Sequence, residues 1–463
     1  MNYSILASNT LNYGVRTIND IGLNWIGQLI RILIEGIGIV GLGIIVFTLI
    51  LKTIVLPLDI YSRVMGKKQA LIMERMRPQM EKLQKQYAND KQMYNQKVVE
   101  LQKKSGYSMF GACLPMIISL VIFIVVFNAF STYSQYANLK NYNDMVGVYN
   151  SVAQTYVIPE NPADAPDDGV IRFLSEIKDE KGVVYDYSVD YQKFAEHYND
   201  FKSEDTEYGA AKTEDEVFTY LATQYKKANN NYGGSISVDK VNEREGGVLT
   251  DAANHFRCSL ISDYLEGPAS QKVKKYYEDG HNNSFLWVGN LWYPDSTLNK
   301  EVPDFSKFQS TVTRASIGAD YATSYNKVTA ALGSQKSRYN GYFVLIILSI
   351  GLMLLQQWIS MRANKSVNEL STVDGSGART NKWMMIMMPI IYGIFSFFYS
   401  ASFSLYMITN TVYSIVTMLI INKCVDVWFK KKEEKGELDA YLTKKSRKAK
   451  NSGVKSRNVK KVR

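Results

Sequence analysis

The stretch IGIVGLGIIVFTLILKTIVLPL, residues 37–58, decides how this chain is read. It is long and apolar enough to cross a ~30 Å hydrocarbon core as a helix. It also holds one cation, Lys52. Four further apolar runs, 110–130, 341–361, 383–400 and 401–422, contain no Lys, Arg, Asp or Glu. Lys52 is therefore the only charged residue inside the five runs. A cation at the centre of a membrane helix costs ~2.5–3.5 kcal/mol on insertion scales, and the usual return is a functional polar cavity. The competing reading is snorkelling. Lys52 lies six residues from Leu58, ~9 Å along a helix, and its stem can reach the interface from there.

Mean hydropathy is −0.17, a value typical of soluble proteins, but the average hides a divided chain. The polar segments between the runs differ in charge. Segment 59–109 has 11 Lys+Arg against 5 Asp+Glu, 362–382 has 4 against 2, and 423–463 has 15 against 5. The long segment 131–340 has 21 against 30. Short basic loops stay on the cytoplasmic side. Five spans then predict an N-terminus outside, a cytoplasmic 59–109, an exterior 131–340, a cytoplasmic 362–382 and a cytoplasmic C-terminus. No short basic region followed by an A-x-A-like cleavage site precedes residue 37, so the first span is expected to be retained.

The expected fold class is an all-α polytopic membrane protein. It has five transmembrane helices, a cytoplasmic helical hairpin, and an α+β extracytoplasmic insert between the second and third helices. Residues 1–36 form an exterior segment whose stretch 20–36 is amphipathic: Asn24, Gln28, Arg31 and Glu35 share one face. That helix lies in the membrane interface or packs on the insert. Residues 60–105 read as the hairpin, turning at Asn89-Asp90 and kinked at Pro78. The insert carries 20 of the 32 tyrosines. GVVYDYSVDY reads as strand, and 213–228 and 271–278 read as helix. The tail beyond 430 is expected to be disordered or loosely helical.

Cys113, Cys258 and Cys424 fall on segments that cannot meet within this topology, so no disulfide framework is expected. His197, His255 and His281 lack any spacing that suggests a metal loop. G-x-S-x-G, H-E-x-x-H and P-loop motifs do not occur. The expectation is a protein that is not an enzyme and uses no cofactor or metal.

Taken in order, these pieces resemble the YidC/Oxa/Alb family of membrane protein insertases. TLILKTIVLPL (48–58) is similar to the family's first core span, which ends T-x-x-x-R-x-x-x-x-P-L. YSRVMGKKQALIMERMRPQMEKLQKQY resembles its cytoplasmic hairpin, and GACLPMIISLVIF its G-G-C-x-P-x-x-x-Q-x-P-x-F. NSFLWVGNLWYPDS resembles the segment before the third core span, and YFVLIILSIGLMLLQQ that span. MMIMMPIIYGIFSFFYSASFSLYMITN resembles the last two spans.

The resemblance implies five core helices around a polar groove that opens to the cytoplasm and to lipid but not to the exterior. It implies a bacterial cytoplasmic-membrane protein whose clients are nascent membrane proteins in the lipid bilayer. The Sec channel and the ribosome are further expected partners. The basic tail would contact the ribosome, or serve only as a topology signal. Carried over residue by residue, Lys52 becomes the groove cation, Thr48 lies one turn before it, and Ser119 stands at the family's groove Gln. Gln356 and Tyr406 line the groove or touch the client. Each has a plainer alternative: Thr48 and Ser119 bond their own helix, Gln356 faces headgroups, and Tyr406 packs. The sequence departs from the pattern at Lys52 (usually Arg), Ser119, Val121 (Pro), Ser108-Met109 (Asn-Pro) and Met407 (Trp). It departs most in the insert, whose partner is not indicated. The rival expectation is a transporter or channel with an exterior ligand-binding domain. That reading calls for more intramembrane charges or for span repeats, and the sequence has neither.

Overall fold

The computed structural model describes residues 13–105, 109–161, 163, 166–229, 237–281, 283–363 and 376–442. In chain order the helices are α1 (Trp25–Ile37), α2 (Val40–Gln86), α3 (Lys91–Ser105) and α4 (Met109–Asn150). Next come strands β1 (Leu174–Lys178) and β2 (Val184–Val189), then α5 (Tyr191–Phe201) and α6 (Glu214–Ala228). The short strands β3 (Arg244–Glu245) and β4 (Val248–Leu249) precede α7 (Asp251–Glu278). The chain continues through α8 (Phe305–Thr311), α9 (Tyr321–Val328) and α10 (Gly333–Ser337). It ends with α11 (Val344–Ala363), α12 (Ser376–Phe398) and α13 (Ala401–Glu434). Among the described residues, four helices are long and apolar enough to cross a membrane: α2, α4 from Leu120, α11 and α13. α12 adds a shorter apolar stretch, Pro389–Phe398.

The fold divides into two compact units. One comprises Met1–Ile21, Gln135–Asn282 and Val302–Arg338; the other comprises Gly22–Ser134, Asn283–Glu301 and Tyr339–Arg463.

The first unit is mainly helical, with two small sheets. β1 and β2 pair antiparallel with a register shift at Ile177/Lys178. α6 begins with a capping box, Thr213 and Glu216 satisfying each other's backbone. α7 starts far upstream of the expected 271–278 and carries Pro268 inside it. The core is aromatic: Phe173, Phe194, Tyr198 and Tyr264 meet edge-on or tilted, and Phe194 stacks on Phe218. Tyr142 is buried against Phe308 and Tyr325 and shares a 2.7 Å hydrogen bond with Ser324. Asn150 holds the N-terminal segment by bonding both the N–H and the C=O of Tyr13.

Arg257 on α7 is fully buried. It donates to the Val241 carbonyl at 3.0 Å, to the Asn242 side chain at 2.6 Å, and to the carboxylates of Glu214 and Asp215 on α6. Its guanidinium lies over Phe218, 4.3 Å from the ring centroid. Breaking a buried pair by deleting one partner typically costs 3–5 kcal/mol. Both carboxylates keep some contact with water, so Arg257→Ala is expected to cost about 3 kcal/mol. Limited proteolysis of the full chain checks this: new cleavage should appear between α6 and α7. Unchanged resistance would show that the ion network is not needed.

The second unit is a helix bundle built around α2. Asn24 caps α1 by accepting from the Gly27 N–H at 2.7 Å, and Gly38, with φ of +76°, ends it. Ile26, Ile30 and Ile34 are buried on the side of α1 that packs on α2, while Trp25 and Ile32 are exposed. Close approach requires glycine at two places on α2. A Cβ on Gly43 would lie 2.9 Å from the Ile34 backbone, and one on Gly41 would overlap the Phe285 ring.

α2 does not stop at residue 58. It runs unbroken through Pro57 and Pro78 to Gln86, so the first span and the first arm of the hairpin are one helix. α13 lies parallel to it: Thr53 faces Tyr413 across 3.3 Å, and Lys67 pairs with Asp426 at 2.8 Å. Further along, Ile72, Met73, Met76 and Met80 of α2 pack against Ile421, Val425 and Phe429 of α13. Leu438 and Leu442, on a final turn over 438–442, complete that cluster. The expected loose tail is therefore ordered helix as far as 442. Residues 443–463 and the 364–375 loop lie outside the described residues.

Segment 283–301 knits the starts of α11 and α13 together. Asp295, fully buried, accepts from the N–H groups of Tyr342 at 2.8 Å and Leu345 at 2.6 Å. Asn340, also fully buried, accepts from the Asn290 N–H at 2.7 Å and donates to the carbonyls of Asn290, Tyr293 and Pro294. The N–H groups of Ala401 and Ser402 donate to the Tyr293 and Leu291 carbonyls. The first turns of two apolar helices thus find partners where water is scarce.

Candidate functional site

Lys52 lies on the face of α2 that also presents Val55 and Asp59, one and two turns further on. These residues line a half-enclosed cavity of about 190 Å³. The other walls are Ile122 and Phe123 of α4, Met353, Gln356 and Gln357 of α11, Pro389 and Tyr392 of α12, and Tyr406, Met407, Asn410 and Thr411 of α13. Five apolar helices therefore converge on a lining that holds two charged side chains, three carboxamides, a threonine and two tyrosine rings.

Toward the start of α2 the cavity gives way to packed rings. Phe47 meets Phe130 edge-on at 5.6 Å, and Phe130 lies 5.3 Å from Tyr406. Phe123 contacts Tyr392 at 4.9 Å and Phe403 at 6.1 Å. Phe47, Phe130 and Phe403 are fully buried. Beyond them, at the starts of α11 and α13, sits the Asp295–Asn340 knot. The polar cavity is thus backed by an aromatic layer at one end of the bundle.

Of the residues singled out from sequence, Lys52, Gln356 and Tyr406 come together in this lining. Thr48 does not. It is fully buried one turn away, and its hydroxyl donates to the Ile44 carbonyl of its own helix at 2.7 Å. The side chain of Ser119 lies outside the described residues; its backbone is in α4, one turn before Ile122 and Phe123. Lys52 forms no ion pair among the described residues, but Asp59 attracts it electrostatically.

Asp59, Asn410, Gln357 and Tyr392 belong to the lining and were not predicted. The signal for Asp59 was its seven-residue spacing from Lys52, hidden because the first span was taken to end at 58. For Asn410 it was the four-residue spacing from Tyr406.

Among the histidines, His197 shares a 2.8 Å hydrogen bond with Tyr264, and burial holds its pKa below the ordinary value. His281 stacks on Tyr276.

The bundle and its cavity define a multi-pass helical membrane protein with a polar recess. The family model described as 60Kd inner membrane protein matches residues 32–158 and 271–430, and the chain belongs to that family, the YidC/Oxa/Alb group. Among curated relatives, the protein named membrane protein insertase YidC from Leptospira interrogans is 35% identical over 128 residues, 27% of this chain and 19% of its own length. The protein of the same name from Caldanaerobacter subterraneus is 33% identical over 113 residues, 24% of this chain and 53% of its own length. A third, from Clostridium tetani, is 35% identical over 78 residues, 17% of this chain and 34% of its own length. The matched stretches thus span between about a fifth and about a half of these relatives. No solved structure matches.

Proposed function

We propose that this chain is a membrane protein insertase and chaperone of the bacterial cytoplasmic membrane. It moves hydrophobic segments of newly made proteins from the cytoplasm into the bilayer. The observation that carries this reading is the Lys52 cavity: charged and carboxamide groups gathered among apolar helices and backed by an aromatic layer.

In this reading α2, α4, α11, α12 and α13 are five spans. The N-terminus is outside, the tail is inside, and the first unit is an extracytoplasmic domain. The basic segments 59–109 and 423–463 support that orientation. The cavity then faces the cytoplasm.

An arriving helix must bring its polar flank and backbone across hydrocarbon. Each unsatisfied polar group there costs several kcal/mol. Lys52, Gln356, Gln357 and Asn410 offer partners part-way across, so the flank is never stranded. The apolar stretch leaves sideways into lipid, and burial in hydrocarbon supplies the driving free energy. Lys52 attracts acidic residues of the client. Asp59, on the same face of α2, holds that cation in place between clients and keeps the empty cavity neutral. The membrane potential adds ~2.3 kcal/mol per charge per 100 mV for an anionic flank drawn outward. No covalent step is required of this lining. The ribosome, through the tail, and the Sec channel are the partners we assign to delivery.

A photo-crosslinking residue at Gln356 tests this. It is expected to capture nascent membrane proteins during translation, and capture should fall when excess unlabelled client is present. Depleting the protein should leave small membrane proteins accessible to protease in the cytoplasm. Crosslinks confined to the chain itself, with clients inserting normally in depleted cells, would refute the reading.

A further inference from the structure

A second recess lies further along the same helix pair. It is an open apolar groove of about 520 Å³ between α2 and α13. Leu56, Ile60 and Val64 form one wall, and Ile420, Ile421, Cys424 and Val425 most of the other; Thr417 and Trp428 mark its two ends on α13. Ile420 is more than half exposed. The twelve residues from Thr417 to Trp428 span ~16 Å of helix. That is close to half of a ~30 Å hydrocarbon core, the depth of one leaflet. A partner helix crossing the membrane would need about twice that length.

The Trp428 end changes character. Trp428 packs edge-on against Tyr441 at 5.3 Å. Lys432 places its ammonium 5.0 Å from the Trp428 ring and 5.4 Å from Tyr441. Lys68 lies 4.6 Å from the Tyr441 ring. Lys67 is on the same turn of α2, paired with Asp426, and Glu437 bonds Lys432 at 3.2 Å. Immediately after Leu442 the sequence 443–463 adds ten Lys+Arg and no Asp or Glu. Trp and Tyr favour the membrane–water boundary, and clustered cations there draw anionic headgroups. The groove is therefore apolar for one leaflet and then aromatic and basic.

We propose that this groove holds one acyl chain of an anionic phospholipid. The chain lies along Leu56, Ile60, Val64 and Ile420, and the headgroup phosphate rests beside Lys432 at the Trp428 end. The proposal goes beyond the insertase reading. It rests only on this helix pair lying in a membrane.

Native mass spectrometry of the full-length protein in mild detergent tests it. Phosphatidylglycerol and phosphatidylcholine with the same acyl chains are the probes. The wild type is expected to retain phosphatidylglycerol several-fold better than phosphatidylcholine. Ile420→Trp, which fills the groove from an exposed position, should bring retention of both close to the detergent background. Val64→Trp should do the same from the opposite wall. Lys432→Gln should keep binding but lose the preference for the anionic lipid. Unchanged elution on size exclusion identifies variants that have folded. Equal retention of the two lipids by the wild type would overturn the proposal. So would undiminished phosphatidylglycerol binding by folded Ile420→Trp and Val64→Trp. Capture of a polypeptide rather than lipid by a photo-crosslinker at position 420 would also overturn it. None of these results depends on insertion activity.

Discussion

Replacing Lys52 with Glu is expected to abolish complementation of a strain depleted of this protein. Asp59 lines the same small cavity, so the variant sets two carboxylates together and turns an attractive site for acidic flanks into a repulsive one. At an effective dielectric constant of ~20, unit charges ~8 Å apart interact by roughly 2 kcal/mol. Reversal therefore shifts the interaction with an acidic client residue by ~4 kcal/mol, on the order of a 100- to 1000-fold loss in insertion rate. Lys52→Arg, which keeps the charge and adds donors, should retain activity. Lys52→Ala should lose it only for clients with acidic flanks. Protease protection of labelled clients in proteoliposomes reads all three. The double variant Lys52→Glu with Asp59→Lys should recover part of what the single change loses. Full activity in the single Glu variant would mean that the cation is dispensable and that the cavity does not work as proposed.

Asn340→Ala is expected to have the largest effect on stability. Its side chain makes four hydrogen bonds at a fully buried position: one from the Asn290 N–H and three to the carbonyls of Asn290, Tyr293 and Pro294. Each buried group left unsatisfied costs ~1–3 kcal/mol, so the variant should lose about 3–5 kcal/mol. The same segment accepts the first N–H groups of α13, and Asp295 caps α11, so two helix starts loosen together. The shift is ~2–4 °C per kcal/mol for 150–250 residues and smaller for a longer chain, so the melting temperature in detergent should drop by about 3–5 °C. Asn340→Asp, which turns three donor contacts into repulsion, should be worse. A fall of less than ~2 °C would show that water or backbone shifts replace the amide readily.

Much of the bundle was legible because hydrophobic run length is a strong signal. Residues 37–58, 110–130, 341–361 and 401–422 each fall mostly or wholly within a long apolar helix. Helix ends were not legible, because nothing local stops α2 at 58. Leu56, Ile60 and Val64 continue the apolar face at four-residue spacing beyond the charged Asp59, and the Met-rich face follows. The packing of the tail's first residues is hidden for a related reason. Val425, Phe429, Leu438 and Leu442 are four apolar residues among many lysines, and their stripe has meaning only once the methionines of α2 are seen opposite. Within the cavity, Lys52 announced itself by its cost in hydrocarbon. Gln357 did not, since carboxamides near the end of an apolar run are common at headgroup level, and Asn410 did not, since one uncharged amide in mid-run costs far less than a charge. Thr48 was a reasonable guess from its face, but its hydroxyl is consumed by its own helix. The aromatic core of the first unit could not be assembled from sequence, because its rings come from segments as far apart as Phe173 and Tyr264.

The unbroken course of α2 makes it a shaft. Forty-seven residues at 1.5 Å each give a rod ~70 Å long that carries Lys52 near one end and the methionine face near the other. Pro57 lies between them, five residues past Lys52, yet the helix continues, so the recess and the methionine face share one backbone with no loop to part them.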